Sequence, residues 1–280
     1  MAYPTVSAPY GLKPINLIGG QVFAGSTRTI PIQYGEATAI YYGDFVKVAQ
    51  GFAQRQSVST GGGAAGMVGV FLGCSYTNPS TGQKIFSQYW PASTLAGDAQ
   101  AIVCDDPDTV FKAVVCSSGT TVASGSYAMV GQNYQMINTT GSNTNGNSSN
   151  ALLYSATLTT STFPMRVVGV VPDTASAVSA TGSSSSTTIT LTGSGLPSAI
   201  VAGTDVSYVA SNGQIVRTGS FVTTAASAGA TSVTINVATT SLGLTATTIP
   251  SGSTIVFTQI PEMLVKINFG IHEYYTATAV

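Results

Sequence analysis

Charge is what this sequence has least of. Asp, Glu, Lys and Arg make up only 7% of its 280 residues, against roughly 25% in an average soluble protein. Such a surface has little electrostatic repulsion to hold it away from its neighbours. The nine Lys and Arg stand apart from one another, so the clustered basic face that neutralises phosphates is missing and nucleic acid is not expected as a direct partner. Histidine occurs once, at His272, which leaves a thin supply of proton-transfer groups. Cys74, Cys104 and Cys116 are odd in number and widely spaced; this fits reduced thiols better than a disulfide framework and gives no metal-ligand spacing. No uninterrupted apolar run approaches the roughly 18 residues of a membrane-spanning helix. The opening Met1-Ala2-Tyr3-Pro4 also lacks a basic segment followed by an apolar one. The expectation is a cytoplasmic product made and used without crossing a membrane, with no cofactor and no metal ion.

What is present is apolar material in a two-residue rhythm. Hydrophobic residues form 44% of the chain, enough to bury a core, so the chain reads as folded and not disordered. From about residue 27 the apolar positions alternate, the signature of half-buried strands. Ile30, Ile32 and Tyr34 alternate with polar or proline positions. Val68, Val70, Leu72, Cys74 and Tyr76 fall on one predicted face, with Gly69, Phe71, Gly73 and Ser75 on the other. Further strands are predicted at Val110 to Cys116, Tyr127 to Val130, Ala151 to Leu158 and Arg166 to Val171, between turns rich in Gly, Ser and Asn. Near the end, Met263, Val265, Ile267 and Phe269 share a face. No amphipathic helix of twelve residues fits between the breakers. The fold class is therefore all-β, a β-barrel or sandwich.

Three segments depart from that rhythm. Residues 1–26 carry Pro4, Pro9 and Pro14, which favour extended backbone and oppose both helix and central strand; the expectation is an extended arm. The stretch 141–150 has no apolar side chain to bury and is expected to be an exposed, mobile loop. Between Thr174 and Thr258 the only charged residues are Asp205 and Arg217. That change of composition, with a weak repeat relating 188–206 to 233–255, marks 175–258 as an inserted small β-sandwich or barrel. Residues 27–174 and 259–280 would then form the domain into which it is inserted.

Candidate chemistry is sparse. Asp105, Asp106 and Asp108 form the densest charge cluster; a cation site is conceivable, but the spacing is not that of an EF-hand, and a solvated turn or a salt link to a neighbouring subunit fits better. His272 has Glu273 beside it, which on a strand points to the other face, so a structural or interface role is expected instead of a catalytic triad. Gly61 to Gly66 is glycine-rich but no Lys-Ser or Lys-Thr follows, so it reads as a connector and not a phosphate loop. Trp90, between Tyr89 and Pro91, suits either an interface or the core.

The residues also carry a likeness. Tyr10-Gly11-Leu12-Lys13-Pro14-Ile15-Asn16-Leu17-Ile18-Gly19-Gly20 resembles the opening of a group of structural proteins from marine and cyanobacterial tailed phages. Tyr42-Gly43-Asp44-Phe45-Val46-Lys47, Gly69 to Tyr76, Asp105-Asp106-Pro107-Asp108 and Met165 to Val171 resemble that group in the same order, and Asn268 to Tyr274 resembles its ending. The likeness covers most of 10–172 and 260–280 and leaves 175–258 unmatched.

The resemblance implies a virion component, and within that set a cement or decoration protein on the outer surface of the head, binding the major capsid protein. A homo-oligomer, a trimer, is expected from the symmetry of shell sites. The interface residues would be Tyr3, Pro4, Tyr10, Leu12, Lys13 and Pro14 of the arm, Trp90, the three aspartates, and His272, Tyr274 and Tyr275. The alternative is a tail or fibre component whose 175–258 domain binds a host surface or glycan. An enzyme such as a depolymerase, or the major shell protein itself, fits the inventory less well.

Overall fold

A computed structural model describes residues 6–57, 66–154, 162–236 and 248–275. The chain is almost entirely β, with 48% strand and 4% helix. The strands run β1 Lys13–Leu17, β2 Arg28–Pro31, β3 Phe45–Ala49, β4 Phe52–Arg55, β5 Gly69–Thr77, β6 Lys84–Ser87, β7 Gln100–Cys104 and β8 Thr109–Ser118. They continue with β9 Thr121–Val122, β10 Asn133–Tyr134, β11 Met136–Ile137, β12 Ala151–Leu153 and β13 Met165–Val170. The last group is β14 Ser176–Ser185, β15 Thr188–Leu191, β16 Asp205–Val209, β17 Ile215–Phe221, β18 Ser232–Thr234, β19 Ser253–Gln259 and β20 Glu262–Ile267.

These strands form three open sheets of sandwich type, with no closed barrel among the described residues. The first has the order β10-β13-β20-β8-β12-β11, with β1 and β9 also on β8; the second is β2-β7-β5-β3-β4, with β6 on β5. They share a core in which Phe111, Val115, Met263, Val265 and Ile267 of the first sheet meet Phe45, Val70 and Cys104 of the second. The second sheet has another core on its far side, built from Val46, Phe71, Cys74, Tyr76, Val103, Ile40 and Trp90. The third sheet, β17-β16-β19-β14-β15-β18, pairs only among strands of 176–259 and has its own core around Ile189, Val206, Val233, Ile255 and Phe257. The chain enters it beside the point where it leaves: Ser176 pairs with Gln259, and Val170 with Met263 just outside. Inside the sheet the two copies of the weak repeat pair like with like, β15 on β18 and β16 on β19.

Strict alternation fails at β5. A bulge between Phe71 and Gly73 inserts one residue and reverses which side chains point where. Val70 therefore lies in the first core while Cys74 and Tyr76 lie in the second, although the sequence puts all three on one face. In β20 the expected face holds for Met263, Val265 and Ile267, all in one core. The strand ends there, however, and Phe269 turns outward to 68% exposure.

The arm expected over 1–26 is not free along its described part. β1 pairs antiparallel with β8, Leu12 is fully buried in the first core, and a bulge between Pro14 and Asn16 accommodates the proline. A proline is tolerated here because β1 is an edge strand and one side of it owes no ladder bond. Leu12 is thus a core residue and not an interface residue. Trp90 is likewise fully buried, packed edge-on against Tyr76 at 5.3 Å between centroids.

The 141–150 stretch is also different from its expectation. It has no apolar side chain, yet Ser148 and Asn150 are each 1% exposed. Both bind the buried carboxylate of Asp44: the Ser148 hydroxyl donates over 2.6 Å and the Asn150 amide over 3.1 Å. The Tyr41 N–H donates to the same group over 3.0 Å, and Arg55 Nε pairs with it at 3.0 Å. Gly11 and Gly43 cross beside this cluster so closely that a Cβ on Gly11 would stand 2.7 Å from Ser148 Cβ and 2.9 Å from the Gly43 carbonyl oxygen. A polar segment with no apolar group is therefore ordered by a buried charge.

Two stability measurements follow. Leu12→Ala should cost about 2–5 kcal/mol, as expected for truncating a core side chain; unchanged urea unfolding would mean the N-terminal strand does not belong to the core. Asp44→Ala should cost about 3–5 kcal/mol by leaving the mostly buried Arg55 guanidinium without its counter-charge, and Ser148→Ala about 1 kcal/mol through one lost hydrogen bond.

Candidate interface

The turn Asp105–Asp108 is where the predicted surface residues meet. It joins β7 to β8, and its own polar atoms close it: the Asp108 N–H donates to Asp106 Oδ1 over 2.8 Å and the Thr109 N–H to the Asp106 carbonyl over 3.1 Å. Asp105 pairs with Arg28 of β2 at 2.8 Å and accepts the hydroxyl of Tyr274. The Arg28 guanidinium also lies 5.5 Å from the centre of the Tyr274 ring. Asp108 pairs with Lys266 of β20 at 2.7 Å, and its carbonyl accepts the Ile18 N–H over 2.9 Å. The N-terminal strand and the C-terminal segment therefore anchor on one acidic turn. Asp105 and Asp108 are thus ion-paired within the chain, while Asp106 caps the turn. Among the described residues no group of three or more His, Cys, Asp and Glu could hold a metal ion.

The C-terminal segment is sewn down residue by residue. The Ile271 N–H donates to the Asn268 carbonyl, the Gly66 and Met67 N–H groups to the Ile271 carbonyl, and the Glu273 N–H to the Met67 carbonyl. A Glu273 carboxylate oxygen accepts the Val48 N–H over 3.3 Å. This puts His272 underneath, 1% exposed, with the Tyr274 N–H donating to its Nδ1 over 3.3 Å. His272 is a buried support and not a contact residue. Burial pushes its imidazole below the ordinary value, opposed by the backbone and carboxylate of Asp105 and by Asp106.

Above it the aromatics are left in water. Phe269 and Tyr275 stack at 4.6 Å with 20° between their planes, and the exposures are 68% for Phe269, 48% for Tyr274 and 45% for Tyr275. Ile18 and Val22, next to the strand end that binds Asp108, are also exposed. Arg28, Lys266, Ile18 and Val22 were not singled out as interface residues in the sequence, and Phe269 was read as part of the β20 face. For Phe269 the signal was Gly270 directly behind it, a residue that can end a strand. Ion-pair partners such as Arg28 have no local signature.

Tyr10 and Lys13 form a second cluster at the other end of β20. The Tyr10 hydroxyl donates to the buried Glu262, which Lys112 approaches at 3.4 Å, and Lys13 Nζ sits 4.1 Å from the centre of the Tyr10 ring. Burial and the Glu262 carboxylate push the Tyr10 phenol far up. Pro14 lies in β1, and Tyr3 and Pro4 lie outside the described residues, as does most of the Gly61 to Gly66 connector. A surface depression of about 720 Å³ is lined by Lys13, Leu72, Cys74, Phe86, Gln88 and Asn147 among others and has no carboxylate or imidazole in its wall. The Cys74 thiol there is pushed up to about 12 by burial, so it stays protonated and is a poor nucleophile.

The buried imidazole makes a testable contribution to stability. An unfolded chain takes up a proton near 6.5, while burial makes the folded chain resist it. Stability present above pH 6.5 is therefore lost as the pH falls below that value, at no more than about 1.4 kcal/mol per pH unit. Urea midpoints at pH 7.5 and 5.5 should diverge more in the wild type than in His272→Gln; equal divergence would show that His272 is not the group that titrates.

Comparison with family models, with curated proteins and with solved structures gives no match.

Proposed function

We propose that this chain is a virion structural protein that binds the outer surface of a tailed-phage head and stabilises it, a cement or decoration protein whose partner is the major capsid protein. The observation that carries this reading is the exposed stack of Phe269 and Tyr275 beside Tyr274, mounted on a turn to which both ends of the domain are bonded. Large aromatic rings on a rigid base are the usual anchors of protein interfaces, because they bury much apolar area at little cost in side-chain entropy. The phage likeness in 10–172 and 260–280 includes the residues of this turn and most of the C-terminal segment. A chain with so little free charge attaches through apolar contact and main-chain hydrogen bonds, which salt screens weakly. Assembly as a trimer around a shell symmetry axis belongs to the same reading.

A second reading rests on Ile215, 65% exposed at the β16–β17 hairpin: a tail or fibre component that meets a host surface or glycan through the inserted sheet. Copy number in purified virions separates the two, hundreds for the head and a few to tens for the tail.

The direct test is binding to heads that lack the protein, followed by co-sedimentation. Phe269→Ser with Tyr275→Ser should lower affinity about 30-fold or more, the effect of losing a hot spot, while leaving unfolding within about 0.5 kcal/mol of wild type, as for exposed sites. Retention of full binding by the double variant, or release of the wild type by moderate salt, would count against a head-binding role through this surface.

A further inference from the structure

The inserted sheet has only two charges, and both meet the same residue of the other domain. Across residues 175–258 the charged side chains are Asp205 and Arg217. Asp205, 4% exposed, accepts the N–H of Tyr127 through Oδ1 over 3.3 Å. The Arg217 guanidinium lies 3.7 Å from the centre of the Tyr127 ring, a cation–π distance. Tyr127 opens the 3-10 turn Tyr127–Met129 of the first domain. Chance placement of two isolated charges in a surface of Ser, Thr, Ala and Gly would not bring both to one side chain across a boundary.

Around them the contact is close and made largely of backbone. The Ser124 N–H donates to the Ala202 carbonyl over 2.9 Å, and the Tyr154 hydroxyl to the Val222 carbonyl over 3.2 Å. Tyr154 also meets Phe221 edge-on at 6.1 Å. Gly203 sits so near Ser124 that a Cβ would fall 1.7 Å from the Ser124 carbonyl oxygen. This seam takes its orientation largely from directional groups, among them the Tyr127 N–H bond to Asp205 and the Arg217 contact with the Tyr127 ring.

We propose that Asp205 and Arg217 are a proton-sensitive latch that holds the inserted sheet against the first domain at Tyr127. The groups that face Asp205 are Arg217 from β17 and Tyr127 from the 3-10 turn; its register partners, Thr258 on β19 and Phe221 on β17, carry no charge. Tyr154, on the same seam, is pushed up to about 12 and stays neutral. Burial raises the Asp205 carboxyl to about 6, against the opposing effects of the Tyr127 N–H and Arg217. If the first domain supplies that burial, undocking returns the carboxyl to water and towards its ordinary value of 3.8. The docked form therefore holds a proton more tightly. Docking is at full strength below about pH 4, weakens as the pH rises towards 6, and levels off above it, a total change of up to roughly 100-fold.

Amide exchange on the full-length protein tests this, with rates corrected for the intrinsic effect of pH. In wild type the protection of Ser124 and Tyr127 should rise up to roughly 100-fold between pH 7 and pH 4. Asp205→Asn keeps an acceptor for the Tyr127 N–H but cannot ionise; its protection should be high and flat with pH. Arg217→Met should move the transition to higher pH, which a purely steric role for Arg217 would not do. Gly203→Ala should remove the protection of Ser124 and Tyr127 at both pH values while β14 and β19 remain protected. A flat wild-type profile, a profile that Asp205→Asn leaves unchanged, or full protection of Ser124 and Tyr127 in Gly203→Ala overturns the proposal.

Discussion

The carboxylate of Asp44 is fully removed from water, and the rest of the first domain is arranged around satisfying it. An unmatched buried charge costs several kcal/mol. Here the matching groups come from both sides of the chain: the Tyr41 N–H and Arg55 from the hairpin that carries Asp44, and Ser148 and Asn150 from the distant Asn-rich stretch. None of these segments can leave without exposing the charge to an apolar surrounding. The same crossing brings the Gly11 N–H to the Asn150 carbonyl and the Leu12 N–H to the Gly43 carbonyl, which places Leu12 in the core and β1 on β8. From there the chain reaches Ile18, whose N–H binds the Asp105–Asp108 turn. The exposed aromatic surface is thus held in position by a chain of contacts that begins at one buried acid.

Charge is used here for orientation. Five ion pairs take up ten of the nineteen charged side chains, and three of them join elements distant in sequence: β2 to the Asp turn, β8 to β20, and β20 to the Asp turn. Asp205 and Arg217 serve the boundary with the inserted sheet in the same way. The pairs are few enough that each removes a specific ambiguity of packing, in a chain whose apolar positions alone would permit sheets to slide or rotate. One result is that little charge remains on the outside to repel another protein.

The class of the fold was legible because it is carried by short-range period, and the change of composition after Thr174 falls next to the first strand of the third sheet at Ser176. The two-residue rhythm of Met263, Val265 and Ile267 needs no partner to be recognised, and the loss of charge after Thr174 is visible without any structure. What was not legible depends on contacts across the chain. The bulge after Phe71 reverses a pattern that looks uninterrupted. Leu12 sits among prolines and becomes core because β8 offers it an edge; Ser148 and Asn150 look like solvent-facing loop residues until Asp44 is known to be buried beside them. The Asp turn and the C-terminal aromatics were both singled out, but that Tyr274 binds Asp105 across the fold, and that Phe269 joins Tyr275 outside it, follows only from topology.

That topology also sets the direction in which the two surfaces of the protein point. β20 runs from Glu262, next to the crossing where the inserted sheet departs, to Ile267, next to the aromatic stack, a span of about 17 Å at the usual rise per residue. β8 lies antiparallel to it, so its first residues reach the Asp turn while Val114, opposite Glu262, lies towards the insertion. The inserted sheet and the exposed rings are therefore at opposite ends of a paired ribbon of β8 and β20. If Phe269, Tyr274 and Tyr275 are seated on a shell, the inserted sheet is carried away from that shell. The direction is set by β8 and β20 and the angle by the contact at Tyr127, so in the proposed reading attachment and display would fall to opposite ends of this ribbon.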